Sequence, residues 1–360
     1  MELRLIHTRE LDQAALLADS IFRSPGDTSM KDLFPLLFRP GLSHSYAAFD
    51  QDGTLAAFMG LVPFSLKSGS SLLNVFSIGA VCTAPAYRGQ GLAGRLFALC
   101  CSHAARAGGS LLFVSGDRSL YTRAGCVPFG GTLLAELSSR SAEALAKTSG
   151  NAWTLRPMQP GDLFEVNRLL GEREAGHVHS PAELALLLGA GAYAGVLRHT
   201  QRTLVAVRDG SIEGFAAVAL PPADGSSAPR PAVALEWAGR PQAVAALLAK
   251  AATCSSADAL HVTVPWQERS LLALLREAGA AVAGGANSGT VCIADRNALL
   301  RQTLAERAAR NISIPADAED AALISLLFDP ASPLRTPDAP GEQEPLRTLP
   351  LPYLSGLNFI

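Results

Sequence analysis

The chain has no run of apolar residues long enough to cross a membrane. Its most apolar stretch, residues 72–87, is broken by Asn74, Ser77, Thr83 and Pro85, and falls short of the roughly 18 uninterrupted apolar residues that a membrane helix needs. The first 22 residues lack the basic start and apolar core of a secretion signal, because Glu2, Arg4, Arg9, Glu10, Asp12 and Asp19 are scattered through them. A cytoplasmic protein without a membrane partner is expected. A basic surplus is missing too: 30 Lys and Arg stand against 32 Asp and Glu, for a net charge of -2. That balance offers no grip on phosphate backbones, so nucleic acid is not an expected partner. The six cysteines, Cys82, Cys100, Cys101, Cys126, Cys254 and Cys292, contain no C-x-x-C pair and read as buried reduced thiols, with no metal site expected. G-x-S-x-G and H-E-x-x-H are absent. His177 and His179 lie in a polar segment before Pro181 and read as a solvated loop.

What is present is enough apolar material for two cores. A chain of 360 residues, 48% hydrophobic and 17% charged, is globular and too long for one ordinary core. One pattern is written twice. Leu3-Arg4 followed by Glu10-Leu11 matches Leu155-Arg156 followed by Asp162-Leu163, each a strand, a turn and an apolar-periodic helix. Asp52-Gly53 and Asp209-Gly210 are hairpin dipeptides, each with a Phe (Phe58, Phe215) at the same distance downstream. The first copy then predicts a strand over 73–83, a glycine-rich turn, a helix to about 107, a strand over 110–115 and a short helix through Tyr121. The second predicts strand 232–237, helix 241–252, strand 259–264 and helix 268–278. A Ser/Gly/Asn cluster near 147–152 marks the boundary. Beyond Arg310 prolines dominate, with one apolar helix candidate at 321–328. The finish, residues 349–360, is apolar enough that docking on the protein is expected.

Residues 89–94, Gly-Gln-Gly-Leu-Ala-Gly, satisfy G-x-G-x-x-G literally. A dinucleotide fold, however, brings its strand straight into the first glycine, whereas residues 84–88 intervene here, and Asp117 lies too far on for the ribose acid. A Walker A loop fails because Arg95 and Leu96 stand where Lys and Ser/Thr are required.

Read from Val81-Cys82-Thr83 through Arg88-Gly89-Gln90-Gly91-Leu92-Ala93-Gly94, the segment resembles the pyrophosphate loop of the GNAT superfamily of N-acetyltransferases. Arg88, Gly91 and Ala93 fall on its Arg-x-x-Gly-x-Ala pattern. Small residues let backbone N–H groups approach a pyrophosphate, and the positive end of the following helix favours its charge. The resemblance implies acetyl-CoA as acyl donor, held by this loop and by main-chain groups of Val81, Cys82 and Thr83. In Arg118-Ser119-Leu120-Tyr121, Tyr121 matches the family's proton donor to the departing thiolate; Cys126 departs from the aromatic usual there. The second copy has Leu272 in place of Tyr121 and no cradle in Gly239-Arg240-Pro241-Gln242-Ala243, so it is expected to be degenerate.

A working first unit, a degenerate second and a C-terminal extension together resemble the bacterial enhanced-intracellular-survival acetyltransferases. That resemblance implies an α/β architecture of tandem GNAT folds, each a mixed, mostly antiparallel sheet with splayed central parallel strands flanked by helices. The expected domains are 1–148 (catalytic), 149–300 (degenerate) and 301–360 (extension). It also implies that the terminal carboxylate of Ile360 reaches the first site as base. The implied reaction is direct acetyl transfer to a primary amine, on a small molecule or on a protein. A non-catalytic acyl-CoA-binding or regulatory module is the alternative. No motif names the acceptor, a homo-oligomer is left open, and Glu236, at the end of the second copy's strand, is a candidate buried acid.

Overall fold

The computed structural model describes residues 1–150, 152–222, 230–253, 257–335 and 347–360. Cys254, Asn151 of the boundary cluster, and Pro337, Pro340 and Pro345 lie outside the described residues. Two compact units emerge: Met1–Phe129 with Ser288–Leu349 and Ile360, and Gly130–Asn287 with Pro350–Phe359.

In chain order, the first unit opens with β1 (Glu2–Leu5), β2 (Tyr46–Phe49), β3 (Leu55–Ser68), β4 (Ser71–Thr83) and β5 (Leu111–Val114). The second holds β6 (Gly131–Ser138), β7 (Thr154–Pro157), β8 (Ala175–His177), β9 (Thr200–Arg208), β10 (Ser211–Leu220), β11 (Ala232–Gly239), β12 (Ala259–Pro265) and β13 (Ala281–Ala286); β14 (Thr290–Ile293) belongs to the first. The first sheet runs β1-β2-β3-β4-β5-β14, antiparallel except for the parallel pair β4–β5. The second runs β13-β6-β12-β11-β10-β9-β7, antiparallel except for β11–β12.

The expected boundary at 148 and the observed grouping differ. β6 pairs with β12 and β13, so residues 130–148 go with the second unit, while β14 pairs with β5 in the first. Each sheet thus takes in sequence from the other copy's stretch of the chain. The order of elements along a chain does not reveal such an exchange, because main-chain pairing is blind to sequence distance.

Local chemistry repeats between the units. Arg4 donates from both terminal nitrogens to Glu10, each at 2.8 Å, while the His7 N–H donates to the same carboxylate at 2.8 Å. Arg156 grips Asp162 at 2.6 and 2.9 Å, with the Gln159 N–H at 2.7 Å. Each acid therefore caps the turn that launches a helix, Leu11–Phe22 or Leu163–Glu172. At the second hairpin, Asp209 and Gly210 have φ of 50° and 78°, the pair of positive values a tight primed turn demands. Phe58 and Phe215 are fully buried.

The helix Leu92–Arg106 lays Leu92, Leu96, Phe97, Cys100 and Ala104 on the first sheet at helical spacing, and Pro241–Thr253 is its counterpart on the second. The apolar finish is buried: Leu349, Leu351, Leu357 and Ile360 are each at most 5% exposed. Within the first unit, Leu349 N–H donates to Leu327 O at 2.7 Å and Arg310 to Thr348 O at 3.1 Å.

The Arg4 guanidinium and the His7 N–H hold the Glu10 carboxyl down at about 2, from an ordinary 4.5. The stabilisation this gives is complete above pH 4.5 and is lost as pH falls toward 2. Glu10→Ala is expected to cost about 1–3 kcal/mol at pH 7. Urea unfolding between pH 7 and 3 should show the variant losing less stability on acidification than the parent.

Candidate active site

The site begins where two parallel strands stop pairing. β4 and β5 are in register from Val75 opposite Leu111 to Ile78 opposite Val114, and there the pairing ends. β4 runs on to Thr83 alongside β3, but its register shifts between Phe58 and Gly60, and Ala80 takes φ 49°, unusual for a residue with a Cβ. β5 instead turns away through Ser115 and Gly116. The next residue on each strand, Gly79 and Ser115, therefore flanks a gap.

Ile360 enters that gap. The Ser115 hydroxyl donates to the Ile360 main-chain oxygen at 3.1 Å. Gly79 has no side chain for a reason of space: a Cβ there would overlap the Ile360 carboxyl carbon and lie 2.7 Å from its oxygen.

Beyond the gap, β4 leads into the glycine-rich loop. Val81 and Thr83 are partly exposed, whereas Cys82 faces the core and burial pushes its thiol up to about 12. Cys82 and the buried Leu92 offer a ligand only main-chain groups. Gly89 and Gly91 have φ of 79° and 70°, and nothing lies within 4 Å of where a Cβ would sit on either. Gly91 stands at the head of the helix Leu92–Arg106 with no side chain capping it, and Gly89, Gln90, Gly91 and Gly94 are exposed. This end of a 15-residue helix presents its N–H groups to an anion. Arg88 Nε donates to Thr83 O at 3.4 Å and so folds back on the loop.

A further restraint escaped sequence reasoning. The Tyr87 hydroxyl donates to the Asp50 carboxylate, which also accepts from the Asp52 and Thr54 N–H groups at 2.9 and 2.8 Å. These bonds hold the Asp50 carboxyl below its usual range and push the Tyr87 phenol up. The hairpin Asp52-Gly53 thereby anchors the loop. Tyr87 stands in the loop's lead-in and Asp52-Gly53 marks the turn, but neither motif pointed to Asp50 as the tyrosine's partner.

Tyr121 sits on the short helix Ser119–Thr122, in the core with Phe97, Cys100 and Cys126; its ring is 5.7 Å from that of Phe97. Burial pushes its phenol above the ordinary value, so the hydroxyl keeps its proton at neutral pH. Gly116, one step past Ser115, is the near neighbour of the Tyr121 ring: a Cβ there would meet it at 3.8 Å. Tyr121, Ser115 and Ile360 therefore all gather at the end of β5. A separate polar cluster, His44 Nδ1 to His103 Nε2 at 2.9 Å with Tyr46 Oη 3.3 Å from His103 Nδ1, packs edge-on against Phe76, before the strands part. Burial lowers both imidazoles.

The second unit shows the same scaffold with the gap closed. β11 and β12 stop pairing after Ala234 and Val262, and Gly356 packs so tightly on Leu235 O that a Cβ would overlap it. The helix Pro241–Thr253 starts two residues after Gly239, whose Cβ position is taken by Glu213 O, leaving no loop. Leu272 is core. A cleft of about 580 Å³ remains, lined by ion-paired side chains including Arg173, Glu213 and Glu268. Glu236 is a partner of the buried Arg173, which also binds Glu268 at 2.9 Å. His177 and His179 do not form the expected solvated loop. They are partly buried, their rings stack 6.0 Å apart, and His179 Nε2 lies 2.6 Å from Asn358 Oδ1, while burial holds His177 well below the ordinary imidazole value. Among the described residues, no group of three or more His, Cys, Asp or Glu is placed to hold a metal ion, and no helix is long and apolar enough to cross a membrane.

Residues 2–128 match a family model described as an acetyltransferase (GNAT) domain. Among solved structures, the chain is similar to a probable N-acyltransferase from Enterococcus faecalis (16% identity, TM-score 0.63) and to a GCN5-related N-acetyltransferase from Anabaena variabilis (15%, 0.63), each over 84% of this chain and 74% of the other. It is similar as well to Eis1 from Mycobacterium abscessus (16%, 0.60; 84% and 76%). None of the curated proteins compared matches it. At these identities the structures speak for the fold, and over this span the fold is the tandem GNAT arrangement.

Gly79→Ala is expected to dislodge Ile360 from between Gly79 and Ser115 while the sheet stays intact. The overpacking should cost about 1–3 kcal/mol. Carboxypeptidase should release the last residue of the variant faster than that of the parent under native conditions.

Proposed function

Since residues 2–128 are a GNAT-family acetyltransferase domain, we propose that this acyltransferase moves the acetyl group of acetyl-CoA directly to a primary amine at the gap between β4 and β5. The observation that carries the reading is the uncapped start of the helix Leu92–Arg106, reached through a loop whose two positive-φ glycines leave open space above their main chain. Such a cradle fits a pyrophosphate.

Acetyl-CoA supplies an activated thioester. The N–H groups of the loop from Arg88 to Gly94 hold its pyrophosphate, with Arg88 adding charge or keeping the loop in shape. The main chain of Val81 and Thr83, along the free stretch of β4, orients the pantetheine arm and places an N–H at the thioester oxygen, where negative charge develops during attack. The Ile360 carboxylate takes a proton from the incoming amine. The Tyr121 hydroxyl gives its proton to the departing sulfur; its raised pKa keeps that proton available at pH 7. The acceptor is an amine of a small molecule or of a protein.

The second unit, with its gap closed and Leu272 in the tyrosine's place, binds no coenzyme. Isothermal titration with acetyl-CoA should therefore give one site per chain. Tyr121→Phe should lower kcat by roughly 100-fold or more with little change in the KM for acetyl-CoA; an unchanged kcat would return Tyr121 to a packing role. Adding a few residues after Ile360 should cut turnover without lowering Tm, and full turnover in that variant would remove the carboxylate from the mechanism.

A further inference from the structure

Three cysteines of the first unit meet beside the turn that carries Tyr121, and acetyl transfer uses none of them. Val127 and Val291 form an antiparallel bridge in which each N–H donates to the other's carbonyl at 2.9 Å. In that register, Cys126 falls directly opposite Cys292 as the adjacent pair. Pairs next to a doubly bonded one are of the non-hydrogen-bonded kind, with Cα atoms about 4.5 Å apart and side chains on one face. That separation lies within the ~4.4–6.8 Å that a disulfide spans.

The side chains agree with the register. Cys126 and Cys292 are buried in the same core cluster, and Cys101 packs against that cluster. Cys101, on the helix Leu92–Arg106, is the partly exposed member of the three. The neighbouring Cys292 thiol holds the Cys101 thiol below its ordinary value, toward the thiolate, the form that reacts with peroxides. The thiols thus run from the surface inward in the order Cys101, Cys292, Cys126. Two thiols that face each other across a strand pair share the chemistry of oxidation to a disulfide.

We propose that these residues are a peroxide-responsive thiol relay that ends in a Cys126–Cys292 disulfide. The Cys101 thiolate attacks a hydroperoxide: an S–O bond forms, the O–O bond breaks, and the oxidant leaves as water or an alcohol once protonated. Cys292 then attacks the sulfenic sulfur, an S–S bond replaces S–O, and the hydroxyl departs as water with the Cys292 proton. Cys126 next attacks the Cys292 sulfur, forming Cys126–Cys292 and returning the electron pair to Cys101, which takes up the Cys126 proton. In sum, one hydroperoxide is reduced and two thiols lose two electrons and two protons.

The bond lands where it matters for the turn. The Cys126 N–H donates to Tyr121 O at 3.0 Å, directly after Gly125 at φ 87°. Oxidation therefore ties the turn bearing Tyr121 to β14.

The test treats the reduced full chain with equimolar hydrogen peroxide, blocks remaining thiols with iodoacetamide and maps the peptides by mass spectrometry. The expected product is a linked pair of peptides containing Cys126 and Cys292, two hydrogens lighter and cleaved by dithiothreitol. Cys101→Ser should slow its formation by roughly tenfold or more, and Cys126→Ser should stop the relay at a Cys101–Cys292 bond. Recovery of Cys126 and Cys292 alkylated in the wild type, or oxidation that stops at a Cys101 sulfinic acid, would overturn the proposal; an unchanged rate in Cys101→Ser would remove the relay. The readout is a mass, so it stands apart from whether the chain transfers acetyl groups.

Discussion

Everything at the candidate site depends on two strands parting. Parallel pairing between β4 and β5 ends at Ile78 and Val114, and the residues that follow go different ways. On one side β4 continues along β3 to Thr83 and delivers the loop to the helix Leu92–Arg106; on the other β5 turns through Ser115 and Gly116 into the helix that carries Tyr121. The parting is held open by a register shift against β3 and by Ala80 at φ 49°. A residue with a Cβ pays of order 1 kcal/mol or more for that conformation, and the long β3–β4 ladder on the far side is what offsets it.

A gap between strands leaves main-chain groups without neighbours, and the two units meet that demand differently. In the first, Ile360 occupies part of the gap through one hydroxyl contact from Ser115, and the free run of β4 above it stays partly exposed. In the second, closure is more thorough. Gly356 packs on Leu235 O, the Glu213 carbonyl closes on Gly239, Leu272 joins the core, and Arg173 is enclosed by Glu236 and Glu268. Removing either acid would leave a buried guanidinium short of a counter-charge, which makes this arrangement hard to reopen by single substitutions. One scaffold thus carries the candidate site in one copy and a more tightly packed strand gap in the other.

The exchange of strands between the two stretches of sequence has its own chemical consequence. β14 follows the second copy along the chain, yet it pairs with β5 and brings Cys292 opposite Cys126. Had the boundary fallen at 148 and 300 as the order of elements suggests, Cys126 and Cys292 would lie in different units. A thiol cluster here is therefore a product of topology and of no local motif.

Some of this was legible residue by residue. The repeated strand–turn–helix starts at Leu3-Arg4 and Leu155-Arg156, the Asp-Gly hairpins, the strands over 73–83 and 232–237 and the helices after them follow from spacing, because turn chemistry and helical periodicity act over a few residues. So did the loop from Arg88 to Gly94, since its glycines answer a local demand for positive φ. The apolar finish of the chain announced burial. The Tyr87–Asp50 anchor, the place of Ile360 beside Gly79, the Arg173 ion-pair cluster, the partly buried His177 and the pairing of Cys126 with Cys292 came only from the tertiary structure. Each joins residues far apart in the chain through strand register or core packing, and neither register nor packing partner is encoded in the spacing of residues along one segment.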